Sequence, residues 1–279
     1  MVGPKAKRLA AQYLIESFNH PLKKRMSKRR LSCVLGLNRS TLNYKPHPRL
    51  DEPLGGRMIE LASKHRRFGL PRLHYLLKRE GAVKSHHRTR RVYNKLGLQL
   101  NKRKRRKKQM AVTRVPLPEP TTPNAVWSFD FVSDRVLDRK LKCLTIVDDL
   151  VKGSPGILAE YSITSRDLIR YFESLPKLPK GLRCDNGPEM TSRDFLDWAH
   201  RKGITVEYIQ PGKPIQNAYI ESFNSRFRDE CLNEHEFESL EDAKKRIEKW
   251  RRYYNEERPH TAIDFRTPED FERDFEPQP

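Results

Sequence analysis

The sequence predicts a mixed α/β sheet flanked by helices, preceded by an all-α, strongly basic region. Charge is the first observation behind this. The 279-residue chain carries a net charge of +21. Residues 1–120 hold 32 Lys and Arg against 6 Asp and Glu, a balance of +26, whereas residues 121–279 hold 25 against 30, a balance of −5. The second observation is a change of pattern near residue 124, from helical periodicity to strands alternating with helices. The third is the block NKRKRRKK (101–108) running into Pro116, Pro118, Pro120 and Pro123, which reads as a stiff, self-repelling linker. Four segments follow: a helical 1–46, a helical 47–100, the linker 101–123, and 124–279.

Within the first segment, a helix over 4–18 precedes SKRRLSCVLGLNRSTLNY (27–44). That stretch reads as a helix, a turn at Gly36 and a short helix opening near Asn38, the outline of a helix-turn-helix. Arg39, Ser40 and Thr41 cluster where base or phosphate contacts are made. In the second segment FGLPRLHYLLKREG and SHHRTRRVYNKLG are helices stopped by Gly81 and Gly97. The adjacent His86 and His87 cannot share a helical face as metal ligands do, so they read as exposed or phosphate-contacting.

From 124 onward AVWSFDFVSDRVL, KLKCLTIVDDL and GILAEYSI read as strands, followed by helix, strand, helix and strand. Both of these helices open on TSRD, a capping-box variant. An amphipathic helix then carries Ile220, Phe223, Phe227 and Cys231 on one stripe, and a last one carries Leu240, Ala243, Ile247, Trp250 and Tyr254.

Composition narrows the function classes. No run of about 18 apolar residues spans a membrane, and the N-terminus lacks a secretory apolar core, which predicts a cytoplasmic protein. Cys33, Cys143, Cys184 and Cys231 form no zinc-ligand spacing and read as reduced core residues. A basic half joined to an acidic one suggests nucleic-acid binding beside a second task. Ribosomal RNA or an anionic membrane surface would be served by the same charge.

Three carboxylates stand out. Asp130 lies mid-strand in VWSFDFV, where burying a charge costs several kcal/mol unless a metal or an arginine pairs with it. Asp185 ends GLRCD before Asn186-Gly187, so it either caps a tight turn or stands at the carboxyl end of a sheet strand, where ligands gather. Glu221 borders the apolar stripe, and its helical neighbours Asn217, Ala218, Asn224 and Ser225 include no cation. Such acids can hold hard divalent ions for phosphoryl transfer. Asp148 and Asp149 read as turn-capping, and Glu189 as a helper of the site or a helix-opening residue.

WSFDFVSD (127–134), RCDNGPE (183–189) and QPGKPIQNAYIESFN (210–224) resemble the integrase-core transposases of bacterial insertion sequences. These are relatives of retroviral integrases with a ribonuclease H-like fold and an Asp-Asp-Glu triad. The 35 residues between Asp185 and Glu221 match the family spacing. The resemblance continues through FRDECLNEHEF, WRRYYNEERPH and TPEDF, and residues 51–108 look like the helix-turn-helix-like segment that precedes this core. No counterpart of the integrases' zinc-binding module is present, and Leu150–Leu182 is a few residues shorter than in relatives.

The resemblance implies two Mg²⁺ or Mn²⁺ ions, with Asp130 shared between them, Asp185 on the first and Glu221 on the second. It implies strand cleavage at the element's ends and attack of the freed 3′-hydroxyl on target DNA, without ATP. Candidate DNA contacts are Arg39, Ser40, Thr41, Arg88, Arg90, Arg91, Lys102, Arg103, Lys104, Arg105, Arg106, Lys213, Gln216, Asn217 and Arg228. It further implies self-association on DNA in the nucleoid and a partner or fusion encoded by an upstream frame. A DNA-binding regulator or inhibitor of transposition with an inactive core is the alternative, and a ribonuclease H-type nuclease is a third.

Overall fold

The computed structural model describes residues 3–17, 27–44, 51–100, 120–209 and 217–275. The chain forms two compact units, residues 1–53 and 54–279. The first holds α1 (Pro4–Ser17), α2 (Lys28–Val34) and α3 (Arg39–Asn43). Ser27 caps α2 by accepting from the Arg30 amide at 3.3 Å. Gly36 then reverses the chain at φ +58°, a conformation that a Cβ disfavours. Among the described residues of this unit only Ala11 and Leu31 are buried. Cys33, expected in a core, is exposed instead, because the short α2 buries only Leu31.

The second unit begins with a bundle of α4 (Glu52–Lys64), α5 (Leu70–Arg79) and α6 (His86–Lys95). Met58, Leu73, Leu77, Val92 and Tyr93 fill its interior. Gly81 and Gly97 stop α5 and α6 with φ of +73° and +68°. The last two helices thus end where turn chemistry predicts.

The sheet comprises β1 (Val126–Val136), β2 (Arg139–Asp148), β3 (Ile157–Glu160), β4 (Gly181–Cys184) and β5 (Thr205–Tyr208). Between and after the strands lie α7 (Ser165–Ser174), α8 (Arg193–Arg201), α9 (Ala218–Glu230), α10 (Leu240–Glu256) and α11 (Pro268–Arg273). Strand order is β3-β2-β1-β4-β5. The β1–β2 and β2–β3 pairs are antiparallel, while β1–β4 and β4–β5 are parallel. This is the mixed sheet the sequence predicts.

Period-two alternation divides the sheet's faces. Trp127, Phe129, Leu144 and Ile146 pack on α7 and α8 with Leu168, Phe172, Phe195 and Trp198. Val132, Val136, Cys143 and Val147 pack on α9 and α10 with Ile220, Phe223, Phe227, Ile247 and Trp250. The two TSRD openings differ. Thr164 completes a capping box with Asp167 at the start of α7, but α8 is capped by Ser192, which accepts from the Phe195 amide. The Thr191 hydroxyl is engaged by the Gly187 carbonyl at 3.1 Å, so the second cap moves one residue on.

The bundle packs on the far end of α10. Tyr253 Oη meets His65 Nδ1 at 2.8 Å, and Tyr75 stacks on Phe265 at 5.3 Å between ring centroids.

Candidate active site

Register places the first two carboxylates. The parallel ladder pairs Val126 with Gly181, Trp127 with Leu182 and Ser128 with Arg183. Two residues further along both strands stand Asp130 and Asp185. Neighbouring strands lie ~4.8 Å apart, so Asp130, in the middle of β1, stands beside Asp185, just past the carboxyl end of β4. Both share the parity of Ser128 and Arg183, which directs them to the α9 side.

Asp130 is held by neutral donors. Its Oδ1 accepts from the Phe131 amide at 2.7 Å, and its Oδ2 accepts from Asn224 Nδ2 at 2.9 Å. Thr145, opposite Asp130 on β2, has its hydroxyl 2.7 Å from Asn224 Oδ1 and 3.1 Å from the Asp130 carbonyl; its single proton goes to the nearer, Asn224 Oδ1. The Thr145 bond fixes the Asn224 amide so that its NH₂ faces Asp130. Burial, followed by the charges of Asp185 and Glu221, pushes the Asp130 carboxyl up to about 6, against the two hydrogen bonds that lower it. An arginine partner for Asp130, the structural alternative in the sequence, is not present among the described residues.

Asp185 is exposed at the strand end, and its Oδ1 accepts from the Gly187 amide at 3.0 Å. The turn-capping role and the strand-end position therefore coexist. Glu221 lies exposed in the first turn of α9, and forms no ion pair among the described residues. Among those residues no three His, Cys, Asp or Glu side chains are close enough to hold an ion. The expected triad is thus two adjacent acids with a third on a solvent-facing helical turn. Its donor chemistry still suits Mg²⁺ or Mn²⁺: all three offer carboxylate oxygen, and burial, with the charges of Asp185 and Glu221 adding to it, raises the Asp130 carboxyl, a penalty that a cation would relieve.

The neighbouring acids have other roles. Asp148 accepts from the Asn124, Leu150 and Val151 amides and from the Trp127 indole, a turn cap with four donors. Asp149 pairs with the buried Arg183 at 2.6 Å, which also grips Glu207 at 2.9 Å. Glu189 pairs with Lys142, whose ammonium lies over the Phe131 ring.

Of the candidate DNA contacts, Arg39, Ser40 and Thr41 lie on α3 with Arg39 and Ser40 exposed. Arg90 and Arg91 are exposed on α6, and Arg88 is half-buried. Arg228 reaches from α9 to the Ser133 carbonyl at 3.1 Å. Asn217 departs from expectation: it is buried, and its Oδ1 has no hydrogen-bond partner among the described residues. Lys102, Arg103, Lys104, Arg105, Arg106, Lys213 and Gln216 lie outside the described residues. Asn224 was missed by the sequence reading, although IESFN sets it one helical turn after Glu221.

Two Integrase core domain models match residues 120–214 and 202–268. A 31.7 kDa protein of insertion element IS407 from Burkholderia multivorans is 45% identical over 251 residues, covering 88% of this chain and 90% of its own length. A 39.2 kDa protein of insertion element IS476 from Xanthomonas euvesicatoria is 40% identical, covering 99% of this chain and 80% of its own length. Among solved structures, the simian T-cell lymphotropic virus intasome in complex with a PP2A regulatory subunit is similar in fold. It has a TM-score of 0.52, 14% identity, and coverage of 80% of this chain and 76% of that one. Its core is of the ribonuclease H-like kind. No helix among the described residues is long and apolar enough to cross a membrane. With relatives this similar over nearly its whole length, the chain belongs to the bacterial insertion-sequence transposases that carry an integrase core.

Proposed function

We propose that this chain cuts a DNA strand at the end of its mobile element and joins the freed 3′ end to target DNA. The observation that carries the reading is the proximity of Asp130, within β1, to Asp185, just past the end of the adjacent parallel strand β4, without a cation partner for Asp130 among the described residues. Asp130, Asp185 and Glu221 would hold two Mg²⁺ or Mn²⁺ ions. When bound, these supply charge stabilisation on the phosphate and a nucleophilic oxygen at neutral pH.

The protein's own groups orient the site. Asn224 and the Phe131 amide fix both Asp130 oxygens, and the Gly187 amide fixes Asp185. A Cβ at Gly187 would approach Asp185 Oδ1 to 3.1 Å, so glycine leaves that carboxylate its position. We assign Arg228, whose Nη2 donates to the Ser133 carbonyl at 3.1 Å, to a backbone phosphate.

DNA binding is assigned mainly to residues 1–120, where the +26 balance lies, with steep salt dependence through counterion release. We also infer an upstream-encoded partner or fusion and self-association on DNA. In support, Leu9, Tyr13 and Val34 on the first unit's helices and Tyr44 just after α3 are exposed, more apolar surface than the two buried among its described residues can organise.

The test is incubation with duplexes carrying the element's ends and Mg²⁺, with the cut mapped. Asp130→Asn, Asp185→Asn and Glu221→Gln should each abolish cleavage while retaining DNA binding. Full activity in any of them refutes the assignment. Binding without Mg²⁺-dependent cutting by the wild-type chain would favour the regulator instead. End-specific footprints that sharpen only when the upstream-encoded region is fused would support the partner.

A further inference from the structure

The face of α9 turned away from Asp130 borders a second charged feature. Tyr219, Ser222, Phe223 and Arg226 recur at helical spacing on that face and line a cavity of about 280 Å³. Arg72 from α5, Lys152, Arg258 and His260 complete its polar wall, and none of its described lining residues is acidic. Arg258 is fully buried. Its Nε and Nη2 donate to the two oxygens of Glu230 at 2.7 and 2.6 Å, while its Nη1 has no hydrogen-bond partner among the described residues. Arg72 lies 3.9 Å from the same Glu230, and its buried Nε is also unpartnered. One carboxylate therefore serves two guanidinium groups, and two buried N–H donors remain unmatched.

An unmatched buried donor is costly, and so is a second cation beside the first. Burial and the Arg258 charge push Arg72 down to about 10. Burial and Arg258 likewise hold His260 uncharged, down to about 2, with Nε2 donating to the Tyr254 carbonyl at 3.1 Å. An oxyanion in the cavity would satisfy the free donors and offset the repulsion. Arg226 Nη1 donates to the Ser222 carbonyl at 2.6 Å and to its hydroxyl oxygen, which leaves the Ser222 O–H and the remaining guanidinium N–H groups as donors suited to a tetrahedral phosphate. The volume admits one such group with its ester linkage.

We propose that Arg72, Arg226 and Arg258, with Ser222, form a phosphate-binding pocket on the flank of α9 opposite Asp130. The ligand is a phosphate group, carried either by a DNA backbone or by a free monophosphate. The pocket is separate from the cleavage reading, because binding is measured without catalysis.

The full chain is titrated with inorganic phosphate and, at matched ionic strength, with chloride, and the thermal midpoint is read. Phosphate should raise the midpoint of the wild type beyond chloride. Arg72→Gln and Arg226→Gln should weaken the apparent phosphate affinity about tenfold. Arg258→Lys, which keeps a charge for Glu230 and so guards against a folding failure, should do the same. A short DNA duplex forms the second arm. If the backbone is the source, Arg72→Gln and Arg226→Gln lower duplex affinity and reduce the salt slope by about 1. If free phosphate is the source, duplex affinity is unchanged while the phosphate response is still lost. Phosphate acting no better than chloride on the wild type, or acting equally on all variants, overturns the proposal. Loss of DNA cleavage with the phosphate response intact would count against the Asp130 reading alone.

Discussion

Two charged clusters flank α9, one of carboxylates around Asp130 and one of guanidinium groups around Arg258. In each, one member is moved toward neutrality. The Asp130 carboxyl rises to about 6 and the Arg72 guanidinium falls to about 10, burial leading in both. Their supports differ. Asp130 is held by an amide and an asparagine, neutral donors that orient it without cancelling its charge. Arg258 is clamped by an internal counter-ion, Glu230, so that cluster contributes to the fold as well as to whatever it binds. An acid site built on neutral supports can lose a carboxylate and keep its structure; a basic site built on a buried ion pair cannot lose its acid.

The largest expected effect therefore falls on the pair that looks least functional. Glu230→Gln leaves the Arg258 guanidinium buried without its counter-charge and Arg72 beside it, at a cost of about 3–5 kcal/mol. Denaturant unfolding measures this. Glu221→Gln, at an exposed position, should change stability by no more than about 0.5 kcal/mol. Equal unfolding midpoints for these two variants would break the comparison.

Chemistry should respond in the opposite order. Glu221→Gln and Asp130→Asn should each reduce strand cleavage by at least about 10²-fold, read by end-labelled duplex assays with Mg²⁺. Asn224→Ala should reduce it about 10- to 100-fold, the range seen when a hydrogen-bonded supporter of a ligand is removed. A positioning role, as opposed to a merely structural one, predicts that Asn224→Ala also raises the Asp130 pKa, because a bond favouring the charged form is lost. Carbon-detected NMR of the carboxyl group would read that shift. An unchanged Asp130 titration would remove Asn224 from the site.

These residues were unequally legible. Asp130 stood out because a charge inside a strand is expensive, and Asp185 because an Asn-Gly turn that leads to a helix marks the carboxyl end of a sheet strand. Asn224 carried no such signal: asparagine on a helix beside an apolar stripe is ordinary, and only the β2 neighbour Thr145 gives it a task. The Arg258–Glu230 pair spans 28 residues, and Arg72 joins it from the separate bundle, so nothing local announces the cluster. The paired TSRD openings show the same limit, since the cap of α8 was decided by what Thr191 touches outside its own helix. Periodicity predicted the sheet, the two helical layers and the glycine stops, because those depend on spacing alone.

The smallest expected effect tests whether the acid cluster really lacks counter-charge. Asp130 has a carboxyl pKa of about 6 in the folded chain, against an ordinary 3.8. Between those values the native state binds more protons than the unfolded state, so its stability falls as pH rises. Below pH ~4 both states are protonated and the penalty is absent; above pH ~6 it is fully developed. Asp130→Asn cannot ionise, so in chelator its stability should match the wild type near pH 4 and exceed it by about 1–2 kcal/mol at pH 7.5. Mg²⁺ should then stabilise the wild type and narrow that gap, because a cation favours the charged carboxylate. Thermal melts of both proteins at the two pH values, with and without Mg²⁺, give the difference directly. A gap that is constant with pH would mean that Asp130 is already neutralised by some other group, and the two flanks of α9 would no longer be opposites.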